Sequence, residues 1–130
     1  MDKAISYLRL LFHFLTFLLI VFSLYPGSIL GFFIYGDARL QPQVTKDFGY
    51  ISSNHLYAYF LISVLGFFSY LRDRKFKLVV IYLFFLSIIL EVVHLVIVER
   101  AFQIADLTGN ILGVLIAYTI MLIYKLWRKQ

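Results

Sequence analysis

Glu91 and His94 stand three residues apart inside an otherwise apolar run, the spacing at which two side chains touch on one face of a helix. A carboxyl group and an imidazole in contact can exchange a proton. With His55 they are the candidate acid and base of the chain. Arg100, Gln103, Asp106 and Asn110 follow. The planar fork of Arg100 suits a phosphate or carboxylate. Asp106 and Asn110 would orient these groups, and Gln103 and Tyr59 complete the candidate ligand-binding set. A charge at the centre of a membrane span costs about 2.5–3.5 kcal/mol. Glu91 therefore asks for a role more strongly than Tyr59, Asn110 or Gly113, each of which serves equally well as helix glue worth about 0.6 kcal/mol per contact.

Other chemistries fit poorly. Glu91-x-x-His94 has the spacing used in di-iron bundles, with Asp106 and His55 as conceivable further ligands. Such sites use two of these motifs plus two more glutamates, and here there is one. No metal and no cofactor is expected. Ser52 and Ser53 lie close to His55, but nothing marks an activated serine. There is no glycine-rich phosphate loop. The absence of cysteine excludes disulfides, thiolate metal sites and thiol nucleophiles.

The elements that must position these groups are set by composition. Of 130 residues, 62% are hydrophobic and 15% charged, against roughly 25% charged in soluble domains. The apolar residues form four runs, at 10–25, 55–71, 78–98 and 107–124, near the roughly 20 residues that cross a bilayer. The expected fold is a single all-α membrane domain over 1–130. Pro26 and Gly27 stop the first run, and Phe22–Tyr25 offers no small-residue cleavage site, so an uncleaved helix is expected there. The stretch Ile29–Tyr35 is apolar but too short to span, and is read as interfacial.

Nine Lys and Arg lie at the amino end, the second connection and the tail, and three (Arg39, Lys46, Arg100) lie in the other connections. The positive-inside rule then puts both termini in the cytoplasm. The net charge of +5 thus reports topology and contact with anionic membrane lipids, and no nucleic-acid partner is expected. His13 sits alone in the cytoplasmic half, as a packing or snorkelling residue.

Two stripes link the elements to the site. Asp106, Asn110, Gly113 and Ala117 share one face of the fourth helix, and His55, Tyr59, Ile62 and Gly66 one face of the second. Their polar ends converge on the outer side, below Arg100 and Gln103. Small residues in such stripes let helix backbones approach. Glu91 is placed about 10 Å below the outer end of the third helix. Arg100 would be half a turn away from it on an unbroken helix, so pairing them requires the helix to end near Val98 and the chain to fold back. Burial would push Glu91 toward neutral, whereas a nearby Arg100 would hold it ionised; both remain open.

The order Glu91-x-x-His94, Arg100, Asp106, Asn110, Gly113 resembles the VanZ-like family, as do Ser23-Leu24, Pro26, His55 and Tyr59-Phe60. The likeness runs from Ser23 to Gly113. His94 stands where the family pattern has Gln, and Ile51 and Ser52 replace the acidic and basic residues that often precede the His. The resemblance implies a small bacterial integral membrane protein of the cell envelope, some members being linked with low-level resistance to the glycopeptide teicoplanin. Two functions are then expected as alternatives. One is a polar site at the outer leaflet that binds or modifies an anionic lipid-linked envelope molecule. The other is a non-catalytic partner of a larger membrane protein, with the polar cluster holding helices together. A proton or ion path is disfavoured because the polar groups gather at one end.

Overall fold

A computed structural model describes residues 3–128. Five helices follow in order: α1 (Lys3–Leu24), α2 (Ile29–Tyr35), α3 (Ser53–Ser69), α4 (Phe76–Val93) and α5 (Ile104–Trp127). No strand occurs among the described residues. The long helices alternate in direction, because the end of α1, the start of α3, the end of α4 and the start of α5 meet through His94–Ser23, Ser52–Ala105 and Gln103–Glu91 hydrogen bonds. Helices α1, α4 and α5 are long and apolar enough to cross a membrane. Helix α3 has 17 residues, about 26 Å at 1.5 Å per residue. Large apolar side chains such as Phe14, Phe17, Leu78, Ile81 and Phe85 face outward, as lipid-facing surfaces do.

Helix α3 is the centre of the bundle and packs most closely on α5. Glycine decides that contact. A Cβ at Gly113 would stand 2.6 Å from the Leu56 carbonyl oxygen and 2.8 Å from the Phe60 nitrogen, and one at Gly109 would stand 2.6 Å from the Ser52 carbonyl oxygen. Gly66, in the corresponding stripe of α3, meets a different partner, the ring of Phe12 on α1 at 2.6 Å. The two small-residue stripes therefore serve two seams. Around them Phe12, Tyr59, Phe67, Leu83, Val114 and Ala117 form the core.

Several of the expected boundaries move, and α1 starts at Lys3, seven residues before the apolar run. Helix α4 ends at Val93, five residues short of Val98, although Leu95–Val98 is entirely apolar. The bonds His94 N–H to Glu91, Leu95 N–H to Val92 and Val96 N–H to Val93 tighten the chain into three-residue turns, the usual way a helix end uses up its carbonyls. Glu99 then adopts φ 65°, a left-handed conformation that is uncommon outside glycine, and the chain reverses. Helix α5 starts at Ile104, three residues earlier than the apolar run.

The long connection between α1 and α3 is held rather than loose. Helix α2 is capped by Ser28, whose hydroxyl accepts from Gly31 N–H at 2.9 Å, and by left-handed Gly36. Asp47 Oδ1 accepts from Ser53 N–H at 2.9 Å, doing for α3 the capping that Ser52 does not. Asn54 ties Pro42 and Val44 to the same helix start.

At the opposite end Arg9 of α1 pairs with Asp73 at 2.7 Å, donates to the Ser69 carbonyl and lies over the Tyr70 ring. His13 bonds Tyr70 Oη at 2.9 Å. Asp73 also accepts from Lys75 N–H. That bond chiefly holds its carboxyl below the ordinary value of 3.8; desolvation opposes it, and Arg9 adds to the lowering.

Two tests follow from this packing. Gly113→Ala should destabilise by about 1–3 kcal/mol and Gly66→Ala by less, since a ring yields more readily than two backbone atoms; equal losses in thermal unfolding of the detergent-solubilised chain would refute the seam. A lowered folded-state value stabilises above the unfolded one, and that stability is lost as pH falls through the folded one. The melting-temperature advantage of wild type over Asp73→Asn should therefore persist at neutral pH and shrink below about pH 3.8; an advantage constant down to pH 2 would show that the ionised carboxylate is not what matters.

Candidate functional site

Glu91 lies in the last turn of α4 with no exposed surface. A buried carboxyl must be bonded or it costs several kcal/mol. Gln103, the residue before α5, donates its backbone N–H to Glu91 Oε1 at 2.9 Å. It is the backbone of Gln103 that the site uses, while its side chain is exposed. Glu91 Oε2 stands 3.2 Å from His94 Nδ1, yet the alignment makes no hydrogen bond and nothing else bonds this atom.

His94, itself buried, turns toward α1. Its Nε2 is 3.0 Å from the Ser23 carbonyl oxygen and 3.2 Å from Ser23 Oγ. A carbonyl only accepts, so Nε2 carries the donated hydrogen.

A second chain of bonds crosses from α3 to α5 to α4. Asn110 Nδ2 donates to the Ser87 carbonyl at 3.1 Å, which orients the amide and leaves Oδ1 facing His55 Nδ1 at 2.8 Å. The other nitrogen of His55, Nε2, lies 3.6 Å from Asp106 Oδ2, beyond hydrogen-bond reach. His55, Glu91 and Asp106 each offer a ligand atom, and the three atoms lie within 4.8 Å of one another. Tyr59 is buried and donates to the Leu86 carbonyl at 3.3 Å, a tie between α3 and α4. Ser53 is fully buried and donates to the Thr45 carbonyl, so its hydroxyl is committed to the fold.

Arg100 does not pair with Glu91. Its Nε donates to the Tyr25 carbonyl at 3.1 Å and its Nη2 to the Phe22 carbonyl at 2.7 Å. Helix α1 has no basic residue in its last turn, and Arg100 supplies from the far end of α4 the cation that a helix C-terminus favours. Burial lowers the affinity of its guanidinium for the proton, and the carboxylates of Glu91 and Asp106 act in the opposite direction. Beside it opens a cleft of about 470 Å³ lined by Gly27, Ser28, Ala38, Arg39, Gln41, Glu99 and Arg100. Arg39 is exposed, and its guanidinium makes no bond among the described residues. In the sequence Arg39 is marked only as one of two arginines in the connections at the polar end of the bundle.

Arg100→Lys should lower stability by about 1–3 kcal/mol, because one ammonium cannot reproduce two charge-assisted bonds to separate carbonyls. Thermal unfolding with no change from wild type would show that Arg100 is not the cap of α1.

Compared with family models, curated proteins and solved structures, the chain matches none.

Proposed function

We propose that this chain is a VanZ-like multi-pass protein of the bacterial cytoplasmic membrane that binds an anionic lipid-linked envelope molecule at its outer end. In this reading α1, α3, α4 and α5 all span, both termini are cytoplasmic, and α2 lies in the outer interface with Phe32, Phe33 and Ile34 toward lipid. The observation that carries the ligand reading is the Arg39–Arg100 cleft, set at the end of the bundle opposite Arg9, Asp73 and Lys125. Two guanidinium groups beside a cleft of this size suit a phosphate or carboxylate head group. The family reading draws support from contact. Ser23, His94 and Glu91 form one connected set, His55, Asp106 and Asn110 another, and the two meet where Glu91 approaches His55 and Asp106. By that resemblance, a contribution to glycopeptide tolerance is part of the proposal.

A second reading has its own observation. Arg100 is committed to two carbonyls of α1, and Asn110 to bonds that tie α3, α4 and α5. A cluster employed this way holds helices together, and the chain would then act as an assembly partner of a larger membrane protein through an exposed apolar face.

Arg39 separates the two, since no bond of the fold depends on its guanidinium. The wild-type chain in nanodiscs should retain phosphatidylglycerol over phosphatidylcholine, and Arg39→Ala should lose at least fivefold of that preference at unchanged melting temperature. Cells carrying Arg39→Ala at normal abundance should also be more sensitive to teicoplanin. Undiminished lipid preference and tolerance in Arg39→Ala would overturn the ligand reading in favour of the partner.

A further inference from the structure

Ligand atoms of His55, Glu91 and Asp106 converge between α3, α4 and α5, all within 4.8 Å of one another. The carbonyl of Ser87 can only accept. Asn110 must present its amide nitrogen to it, so Oδ1 is turned to His55 and accepts from Nδ1–H. In the neutral ring that places the lone pair of His55 on Nε2, which faces Asp106 Oδ2 at 3.6 Å. A histidine whose second nitrogen donates to a fixed side-chain oxygen is held as metal-ligating histidines are held.

Glu91 supplies the second, independent observation. It is fully buried and its carboxylate reaches within 4.8 Å of the ligand atoms of both His55 and Asp106; Oε1 accepts from Gln103 N–H, while Oε2, 3.2 Å from His94 Nδ1, accepts no hydrogen bond. The amino ends of α3 and α5 offset part of the negative charge. Each contributes about +0.5, roughly +1 together against two carboxylates.

We infer that His55, Glu91 and Asp106 bind one divalent transition-metal cation, with Zn²⁺ the best match. Imidazole with two carboxylates falls within the donor range of zinc, and a ring nitrogen disfavours Ca²⁺ and Mg²⁺. Ligand atoms about 2.0–2.2 Å from zinc lie roughly 3.3–3.5 Å apart in a tetrahedron. Closing from 4.8 Å takes side-chain rotations of about 1 Å. The side chains of His55 and Asp106 are 19% and 17% exposed, so the ion enters from their side. Three protein ligands leave a further position for water or an anionic group, the arrangement of zinc sites that exchange ligands. This site shares no residue with the Arg39 cleft, and its existence does not depend on any lipid.

The test uses the full chain in detergent, stripped with chelator and then titrated with Zn²⁺ by calorimetry. Expected are one Zn²⁺ per chain and a raised melting temperature. Asp106→Asn and His55→Gln should each weaken binding at least tenfold. If either variant fails to fold, X-ray absorption at the zinc edge of wild type decides: one imidazole with oxygen ligands supports the site. Zinc binding that is absent, unchanged in folded variants, or without imidazole scattering overturns it. So does metal-free His55 protonated on both nitrogens together with no uptake of Zn²⁺, since a proton would then be the only cation the cluster holds.

Discussion

Glu91 has no contact with solvent, and the end of the bundle that carries the polar residues is arranged around satisfying it. A buried carboxyl left unbonded costs several kcal/mol, and α4 alone offers it nothing, because the backbone N–H groups around it are already used within the helix. The chain must therefore return a donor. It does so by ending α4 at Val93, turning through His94–Val96, reversing at Glu99 and delivering the N–H of Gln103 to Oε1. That path carries His94 against Ser23 and Arg100 against Phe22 and Tyr25. The closure of α1 onto the bundle at this end is thus a consequence of where the α4–α5 connection has to run.

The contact between α3 and α5 is the complementary constraint. Without side chains at Gly109 and Gly113, α5 approaches the backbone of α3 closely enough for Ser52 N–H to bond the Ala105 carbonyl between the two helix starts. Asn110, one residue after Gly109, is carried by this approach to a position from which it reaches His55 on α3 and Ser87 on α4 together. A longer interhelical distance would leave the amide with one partner at most. Packing by small residues and placement of polar ones are the same event here.

The helical class and the long helices were legible because apolar runs bounded by charge and Pro26-Gly27 report burial in core or lipid directly. So was the convergence of His55, Asp106, Asn110 and Gly113, since helical spacing alone puts residues on one face. The end of α4 was not. Leu95–Val98 continues the hydropathy of the helix, and the three-residue turns at 94–96 and the reversal at Glu99 that end it leave no mark in that pattern. The partner of Arg100 was hidden for a similar reason: Phe22 and Tyr25 offer backbone carbonyls, 78 and 75 residues away, which leave no mark in side-chain pattern. The pattern does not mark Asp47 and Asn54, because the order they impose on the 37–52 connection arises from local bonds to α3 rather than from hydrophobic burial. Glu91 and His94 touch as their spacing predicts, but the second nitrogen of His94 turns to Ser23 on α1, while His55 and Asp106 come within 4.8 Å of Glu91.

The polar end is best understood by separating the atoms that packing consumes from those it leaves over. Arg100 Nε and Nη2, Asn110, His94 Nε2, the Tyr59 hydroxyl and Glu91 Oε1 are all bonded between elements. If holding helices together were the whole task, amides and hydroxyls would do it without the cost of desolvating a carboxylate. What packing leaves over is Glu91 Oε2, which accepts no hydrogen bond, His55 Nε2, 3.6 Å from Asp106 Oδ2, and the Arg39 guanidinium beside the cleft. The surplus is chemically sorted: the acceptors lie between α3, α4 and α5, and the cationic group, Arg39, lies at the cleft. Holding helices together does not by itself call for that division.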